Sequence, residues 1–378
     1  MTGSPYRRPG FWLSAALMLA YSAASTSDQS ATVWHQVVAP EFGDHSVMQW
    51  QAVTGLPEPG EGEVRIRVLA ASASFTDIMV RKGIYADISE EPPLVPGYDL
   101  VGVIDAIGPG VSAFTEGQRV ADLTVWGAYT EYAIRPVEHL VPLPDEVDPI
   151  QAVSLILSYT TAYQMLHRVA DVRPGQAILV HGASGAVGTA LTQLARLEDI
   201  EVLGTASARK HDSVAALGAH PIDYRSEDFV AEVAERTGGR GVDAAFDAIS
   251  LDNFKRSYQT LNDTGILVTY GLYTSSLASE AGSLWGMARE FVGFQWQKLL
   301  WQWFGTEDRS VEFYSITQVR DAHPDWFRED LAQLFRLLAE EKIDPQVWRT
   351  MPLQQAAEAH RLIENGEVSG KIVLQVSD

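Results

Sequence analysis

Two periodicities divide the chain. From about Val33 apolar and polar positions alternate, as in Glu63-Val64-Arg65-Ile66-Arg67-Val68-Leu69, which is the period of a half-buried strand. Turn signals recur at short intervals: Pro57-Glu58-Pro59-Gly60, Pro96-Gly97, Gly108-Pro109-Gly110 and Glu116-Gly117. Short strands between such turns predict a barrel-like β domain up to about residue 156. From about Thr160 apolar runs at 177–181, 201–205, 243–247, 265–270 and 311–316 read as strands. The stretches between them carry helix-period apolar residues, as in Phe229-Val230-Ala231-Glu232-Val233-Ala234. That alternation predicts a parallel sheet with helices on both faces. Trp326 to Ala339 reads as an amphipathic helix, and Ile372 to Val376 as a last strand. That strand is expected to rejoin the first domain, because Gly370-Lys371 ends the helical pattern. No internal repeat is visible.

The sharpest local signal is the apolar run Ile178 to Val180, then His181-Gly182-Ala183-Ser184-Gly185-Ala186-Val187-Gly188, then a helix pattern at once. Gly185 and Gly188 remove side chains where backbone approaches a pyrophosphate, and the helix N-terminus supplies N–H donors and positive dipole. The first glycine of the usual G-x-G-x-x-G is Ala183 here. The strand before and the helix after give the motif its context.

Composition narrows the picture. A chain of 378 residues predicts about two domains. Hydrophobic content of 46% with 20% charged residues fits a soluble globular protein. A net charge of −21 argues against nucleic acid or an anionic membrane as a surface-wide partner. The absence of cysteine excludes disulfides, thiolate catalysis and Cys-ligated zinc. None of the nine histidines stands at a metal-ligand spacing from another, so no metal site is expected. Residues 1–24 read as a targeting segment: Arg7 and Arg8, an apolar Phe11 to Ala20 too short for a stable membrane span, then Ser22-Ala23-Ala24. An upstream start codon adding a tail is the other reading. Location therefore stays open: cytoplasmic if the segment is a mistaken start, periplasmic or secreted if it is a signal. Residues 25–33 read as a linker.

Ordered motifs extend over residues 34 to 376. They include Phe75-Thr76-Asp77 with Arg81-Lys82-Gly83-Ile84-Tyr85, then Pro96-Gly97-Tyr98-Asp99-Leu100-Val101-Gly102, Gly117-Gln118-Arg119-Val120 and Gly127-Ala128-Tyr129-Thr130-Glu131-Tyr132. Thr161-Ala162-Tyr163, the glycine turn, Leu217-Gly218-Ala219, Ile222-Asp223-Tyr224-Arg225, Phe246-Asp247-Ala248 and Ser369-Gly370-Lys371-Ile372-Val373-Leu374 follow. In these motifs the chain resembles the zinc-independent medium-chain dehydrogenase/reductase superfamily, of the quinone oxidoreductase (zeta-crystallin-like) type. The resemblance implies an α/β fold: a GroES-like β-barrel domain (34–156 and 321–378) interrupted by a Rossmann doubly wound parallel-sheet domain (157–320), usually in a homodimer. Zinc-dependent relatives carry Gly-His-Glu where this chain has Gly97-Tyr98-Asp99, and the family's frequent Asn before Phe75 is Ser74 here.

The second Rossmann strand runs into Ser207-Ala208-Arg209-Lys210, with no acid where NAD-selective sites place one. Hydroxyl and cationic groups there favour a 2′-phosphate, hence NADPH. The resemblance adds Tyr224 beside that phosphate, Thr161 near the nicotinamide, and Ala248, Tyr270, Gly271 and Leu272 at strand ends lining the crevice. It also puts Tyr85 on the substrate side, as donor to the oxygen that gains charge when hydride reaches a carbonyl compound. Ser74 is a second donor candidate. Asp77 and Asp99 read as turn-stabilising aspartates and His181 as a packed strand end.

The expected activity is NADPH-dependent, zinc-independent reduction of a quinone or α,β-unsaturated carbonyl, the acceptor being hydrophobic. The alternative is a non-catalytic NADPH-binding protein in structural or membrane-associated service. An apolar insert at 284–304, LWGMAREFVGFQWQKLLWQWF, puts Trp285, Val292, Trp296, Leu299 and Trp303 on one helical face. Met287, Phe291, Phe294 and Trp301 fall near another. Such a helix must bury most of its surface, so it is expected to cover the cleft or a dimer interface.

Overall fold

The computed structural model describes residues 32–85, 88, 90–271, 292–298, 301 and 308–376. A hairpin of β1 (Val33–Val38) and β2 (Gln49–Thr54) leads into a mainly antiparallel sheet. That sheet contains β3 (Glu63–Ala73), β4 (Leu100–Ile107), β5 (Arg119–Asp122), β6 (Tyr132–Pro136) and β7 (Val141–Pro142). Two strands from the far end of the chain, β14 (Val347–Pro352) and β15 (Lys371–Gln375), complete it. The order is β14-β15-β3-β4-β5-β7, with β6 also on β3. The alternation that predicts β3 comes from its place at the centre. Val64, Ile66 and Val68 turn into a core with Leu100, Ile104 and Ile372.

The second sheet contains β8 (Ala177–His181), β9 (Glu201–Ala206), β10 (His220–Asp223), β11 (Val242–Asp247), β12 (Leu261–Thr269) and β13 (Ser310–Phe313). Its order is β10-β9-β8-β11-β12-β13, and every pairing is parallel. The chain winds one way from β8 to β10 and the other way from β11 to β13. A crevice therefore opens above the C-terminal ends of β8 and β11, the usual ligand position in such sheets. β10 was not predicted. It has four residues, one of them Pro221, and only an edge strand tolerates proline's missing N–H. β13 ends at Phe313 rather than at residue 316, because Ser315 caps the helix Ile316–Ala322 by accepting from the Gln318 N–H.

One composite helix joins the two sheets. It runs as α-helix Pro149–Ser154, π-helix Leu155–Tyr159, α-helix Thr160–Tyr163 and π-helix Gln164–Val169. Its apolar side enters a core shared by Tyr98 and Val101 of the first sheet and Ile178 and Val180 of the second. The π turns wind more widely than α turns and rotate the faces of the helix. That widening brings Ser158 toward the first sheet and Thr161 toward the second.

Within the insert, residues 292–298 form a helix. Phe294 is buried edge-on to Phe254 at 5.7 Å, and Trp301 stacks on Tyr258 at 4.4 Å. This part therefore packs with Phe254 and Tyr258 of the helix Leu251–Gln259, in the core beneath the second sheet. Val292 and Trp296 are 56% and 62% exposed. Trp285, Met287, Phe291, Leu299 and Trp303 lie outside the described residues. Among the described residues no helix is long and apolar enough to cross a membrane.

Candidate active site

β8 ends in the glycine turn. Gly182 takes φ +64, a left-handed backbone that side chains resist, and the chain reverses into the helix Ala186–Leu197. A Cβ on Gly188 would stand 2.6 Å from the Ala183 Cα and nearer still to the Gly182 carbonyl oxygen. Ala183 and Ser184 are buried, and Ala186 and Val187 open the helix half-buried. Gly185 is the N-cap, and no side chain caps it. The first-turn N–H groups are thus without a side-chain acceptor, as a pyrophosphate site requires. The Ser184 carbonyl accepts from the Gly370 N–H at 3.0 Å, which binds the turn to the strand that closes the first sheet.

His181 does not enter the crevice. Its ring nitrogens lie 3.0 Å from Thr205 Oγ1 and 2.9 Å from Ser257 Oγ, and Ser257 donates to Asp247 at 2.6 Å. Burial pushes its pKa below the ordinary histidine range. It is a satisfied core histidine.

The ends of β9 and β10 meet beside the turn. Asp223 pairs with Ala206, so the next residues, Tyr224 and Ser207, stand side by side. Tyr224 is 54% exposed, with the Arg225 guanidinium 5.6 Å from its ring centre. Arg209 donates to the Gly366 carbonyl at 2.8 Å, and Lys210 donates to Val368 at 2.6 Å. Partial burial, with Arg209 next to it, holds the Lys210 pKa below the usual lysine value. Ser207, Arg209, Lys210 and Tyr224 are thus brought together. Arg225 joins them and was not assigned a role from the sequence, although it adjoins Tyr224.

At the other strand ends, Ala248 follows β11. The Tyr270 N–H bonds the Asp247 carbonyl at 3.2 Å, and a Cβ on Gly271 would lie 3.3 Å from that of Ala248. Leu272 lies outside the described residues. Tyr314 follows β13 and donates to Gln164 Oε1 at 2.7 Å. Gln164 donates in turn to Asp330 at 2.9 Å, and Asp330 accepts a fork from Arg168 at 2.6 and 2.9 Å. Thr161, 5% exposed, presents its hydroxyl to the Tyr314 phenol, whose pKa burial drives upward.

Tyr85, half-buried, packs against the core that holds Tyr98 and Tyr314. Its hydroxyl is 2.6 Å from that of Tyr98, with the rings edge to face at 5.7 Å. Tyr98 is fully buried. The sequence reading assigned it no role beyond occupying the His position of zinc relatives.

Ser74 proves to be the N-cap of the helix Phe75–Arg81. Its hydroxyl donates to Asp77 Oδ2 at 2.6 Å, and the Ser74 N–H donates there at 2.7 Å. Its single hydrogen is therefore engaged in a capping box. Asp77 is fully buried, and among the described residues its Oδ1 has no hydrogen-bond partner. Burial pushes its pKa up to about 7. Burial also raises Asp99, which accepts from Ser72 Oγ at 2.5 Å; buried Lys371 draws both carboxyls back down. Asp77 thus closes a helix cap and Asp99 bridges to Ser72 of β3, where the sequence suggested turns. Among the described residues no three His, Asp or Glu side chains converge as a metal-ligand group.

Residues 60–145 match the family model described as alcohol dehydrogenase GroES-like domain, and residues 217–374 match zinc-binding dehydrogenase. The synaptic vesicle membrane protein VAT-1 homolog of Danio rerio is 30% identical over 362 residues, 93% of this chain and 72% of that protein. The 2-haloacrylate reductase of a Burkholderia species is 31% identical, covering 86% of this chain and 94% of that one. The quinone oxidoreductase of Rattus norvegicus is 30% identical, covering 88% and 95%. A mycobacterial structure complexed with NADPH aligns at TM-score 0.76 with 28% identity, over 90% of this chain and 99% of that one. The barrel sheet, the doubly wound sheet and the glycine turn between them agree with these likenesses, and the chain belongs to the medium-chain dehydrogenase/reductase superfamily of oxidoreductases, in its quinone oxidoreductase branch.

Proposed function

We propose that the chain reduces a quinone or α,β-unsaturated carbonyl with NADPH and without zinc. One observation carries the reading: the Tyr85 hydroxyl lies 2.6 Å from that of Tyr98, against the core that also holds Tyr314, in a chain whose glycine-turn helix begins with no side-chain cap. The bound nicotinamide supplies a hydride. The helix N-terminus of Ala186–Leu197 holds the pyrophosphate, and Ser207, Arg209, Lys210 and Tyr224 hold the 2′-phosphate. Thr161, with Ala248, Tyr270 and Gly271, orients the nicotinamide end. Tyr85 donates to the acceptor oxygen as negative charge grows there, the task that zinc performs in other branches. Holding the acceptor against the nicotinamide contributes the remaining rate.

The test is a stopped-flow screen of NADPH oxidation against quinones, enones and enoyl thioesters, with and without EDTA. The expected result is oxidation that depends on an added acceptor, persists in EDTA and is much faster than with NADH. Tight NADPH binding with no turnover across the panel would overturn the reading in favour of a binding protein. In solution we expect a homodimer through the β13 edge, where Phe313 is 42% exposed. Sedimentation velocity measures that directly.

A further inference from the structure

We propose that Tyr98 is a positioning residue that acts through Tyr85, so that the two phenols work as one oxyanion-stabilising unit. The inference rests on Tyr85 being the donor to the acceptor oxygen. Two hydroxyls 2.6 Å apart share one hydrogen, whichever phenol donates it. As charge develops on the acceptor, the Tyr85 hydrogen is drawn toward it and the Tyr85 oxygen becomes more negative. A Tyr98 hydrogen aimed at that oxygen then spreads the charge over a second phenol. No proton has to leave the pair, so no further acid or co-reactant is needed.

The surroundings suit this role. Tyr98 is fully buried in an apolar core with Val101, Leu155 and Leu157, where a hydrogen bond is stronger than in water. Its backbone is held on both sides. Its carbonyl accepts from the Val125 N–H at 3.1 Å, and the Gly97 carbonyl accepts from Thr124 Oγ1 at 2.8 Å. Val125 itself sits at φ +68, a left-handed backbone that a β-branched residue adopts only under constraint. Strained residues of this kind gather where a site needs one geometry. The ring of Tyr98 also stands edge-on to that of Tyr85 at 86°, which fixes the second phenol as well as its oxygen.

The experiment combines a kinetic cycle with a binding measurement. Y85F, Y98F and the double variant are assayed on the best acceptor. Binding of para-nitrophenolate, a chromophoric oxyanion, is followed by its absorbance in the full chain without NADPH. Y85F is expected to lower kcat about a hundredfold, the usual cost of removing one oxyanion donor. Y98F is expected to lower it about tenfold with KM for NADPH unchanged, and the double variant to be no worse than Y85F alone. Both single variants should weaken para-nitrophenolate binding by similar factors. Should Y98F prove unstable, monofluorotyrosine at position 98, a stronger donor of nearly the same shape, should tighten that binding. Additive kinetic effects, or Y98F with unaltered kcat and unaltered phenolate affinity, would overturn the proposal. Phenolate binding that depends on Tyr98 in a chain with no turnover on any acceptor would leave the pair standing and remove the reductase reading instead.

Discussion

Asp77 does two things that pull against each other. It closes the capping box of Phe75–Arg81, which favours a carboxylate accepting from Ser74, and it is fully buried, which favours the neutral acid. Burial wins, and the group titrates at about 7 rather than at 3.8. The effect on stability follows. Between those values the unfolded chain has lost its proton while the folded chain keeps it, so the contribution of this carboxyl to stability is greatest at low pH. It declines as pH rises from about 4 to about 7, and above that range this carboxyl adds no further pH dependence. An Asn at 77 retains an oxygen for the Ser74 N–H and hydroxyl but cannot ionise. D77N is therefore expected to gain on wild type in Tm as pH rises from 5 to 7, and to be at least as stable as wild type at pH 8. Thermal scans across that range check it. Asp99 is raised in the same direction, while His181 and His360, whose pKa values burial lowers, oppose it below about pH 6.5.

The glycine turn and the helix that follows it form one functional element. The turn brings backbone to the pyrophosphate position only because position 188 has no side chain. G188A places a methyl 2.6 Å from the Ala183 Cα, and neither backbone segment can withdraw without opening the turn. The expected result is a stability loss of about 1–3 kcal/mol and a rise of at least tenfold in the Kd for NADPH. Fluorescence titration together with denaturant unfolding checks both. If affinity is unchanged while stability falls, the turn is structural only. The basic pair at 209–210 belongs to this element as well. Its bonds to the Gly366 and Val368 carbonyls tie the second sheet to the loop before β15, so the residues proposed for the phosphate also join the two sheets.

At the scale of the molecule, one polar chain links the periphery to the crevice. Arg168 holds Asp330, Asp330 holds Gln164, Gln164 holds Tyr314, and Tyr314 faces Thr161. Asp330 is 2% exposed on the helix Pro324–Ala339, and the Arg168 guanidinium also lies 4.6 Å over the ring of Trp326. Removing the charge leaves Arg168 partly unpaired in a half-buried place. D330N is expected to cost about 2–3 kcal/mol, at the low end for breaking such a pair because Arg168 keeps some access to water. It should also raise KM for NADPH through Thr161. Urea unfolding and steady-state kinetics check the two parts, and a stability loss with unchanged KM would confine the chain to a structural role.

Much of this was legible in the residues alone. The apolar run before Gly182, the alternation in β3 and the absence of cysteine sufficed for the fold class, the glycine turn and the loss of the Cys-based zinc sites, because backbone periodicity and covalent chemistry are local properties. β10 was not legible, since Pro221 breaks the strand pattern that an edge position nonetheless permits. The two π turns were not either, because their wider winding leaves no separate period in so short a segment. Nor could the residues say which hydroxyls would be engaged. Ser74 and Tyr85 look alike as donors along the chain, yet one is taken up by its own helix cap and the other is set against Tyr98, thirteen positions on. Contacts of 2.6 Å depend on how two sheets and a composite helix come to rest against one another, and only the folded chain settles that.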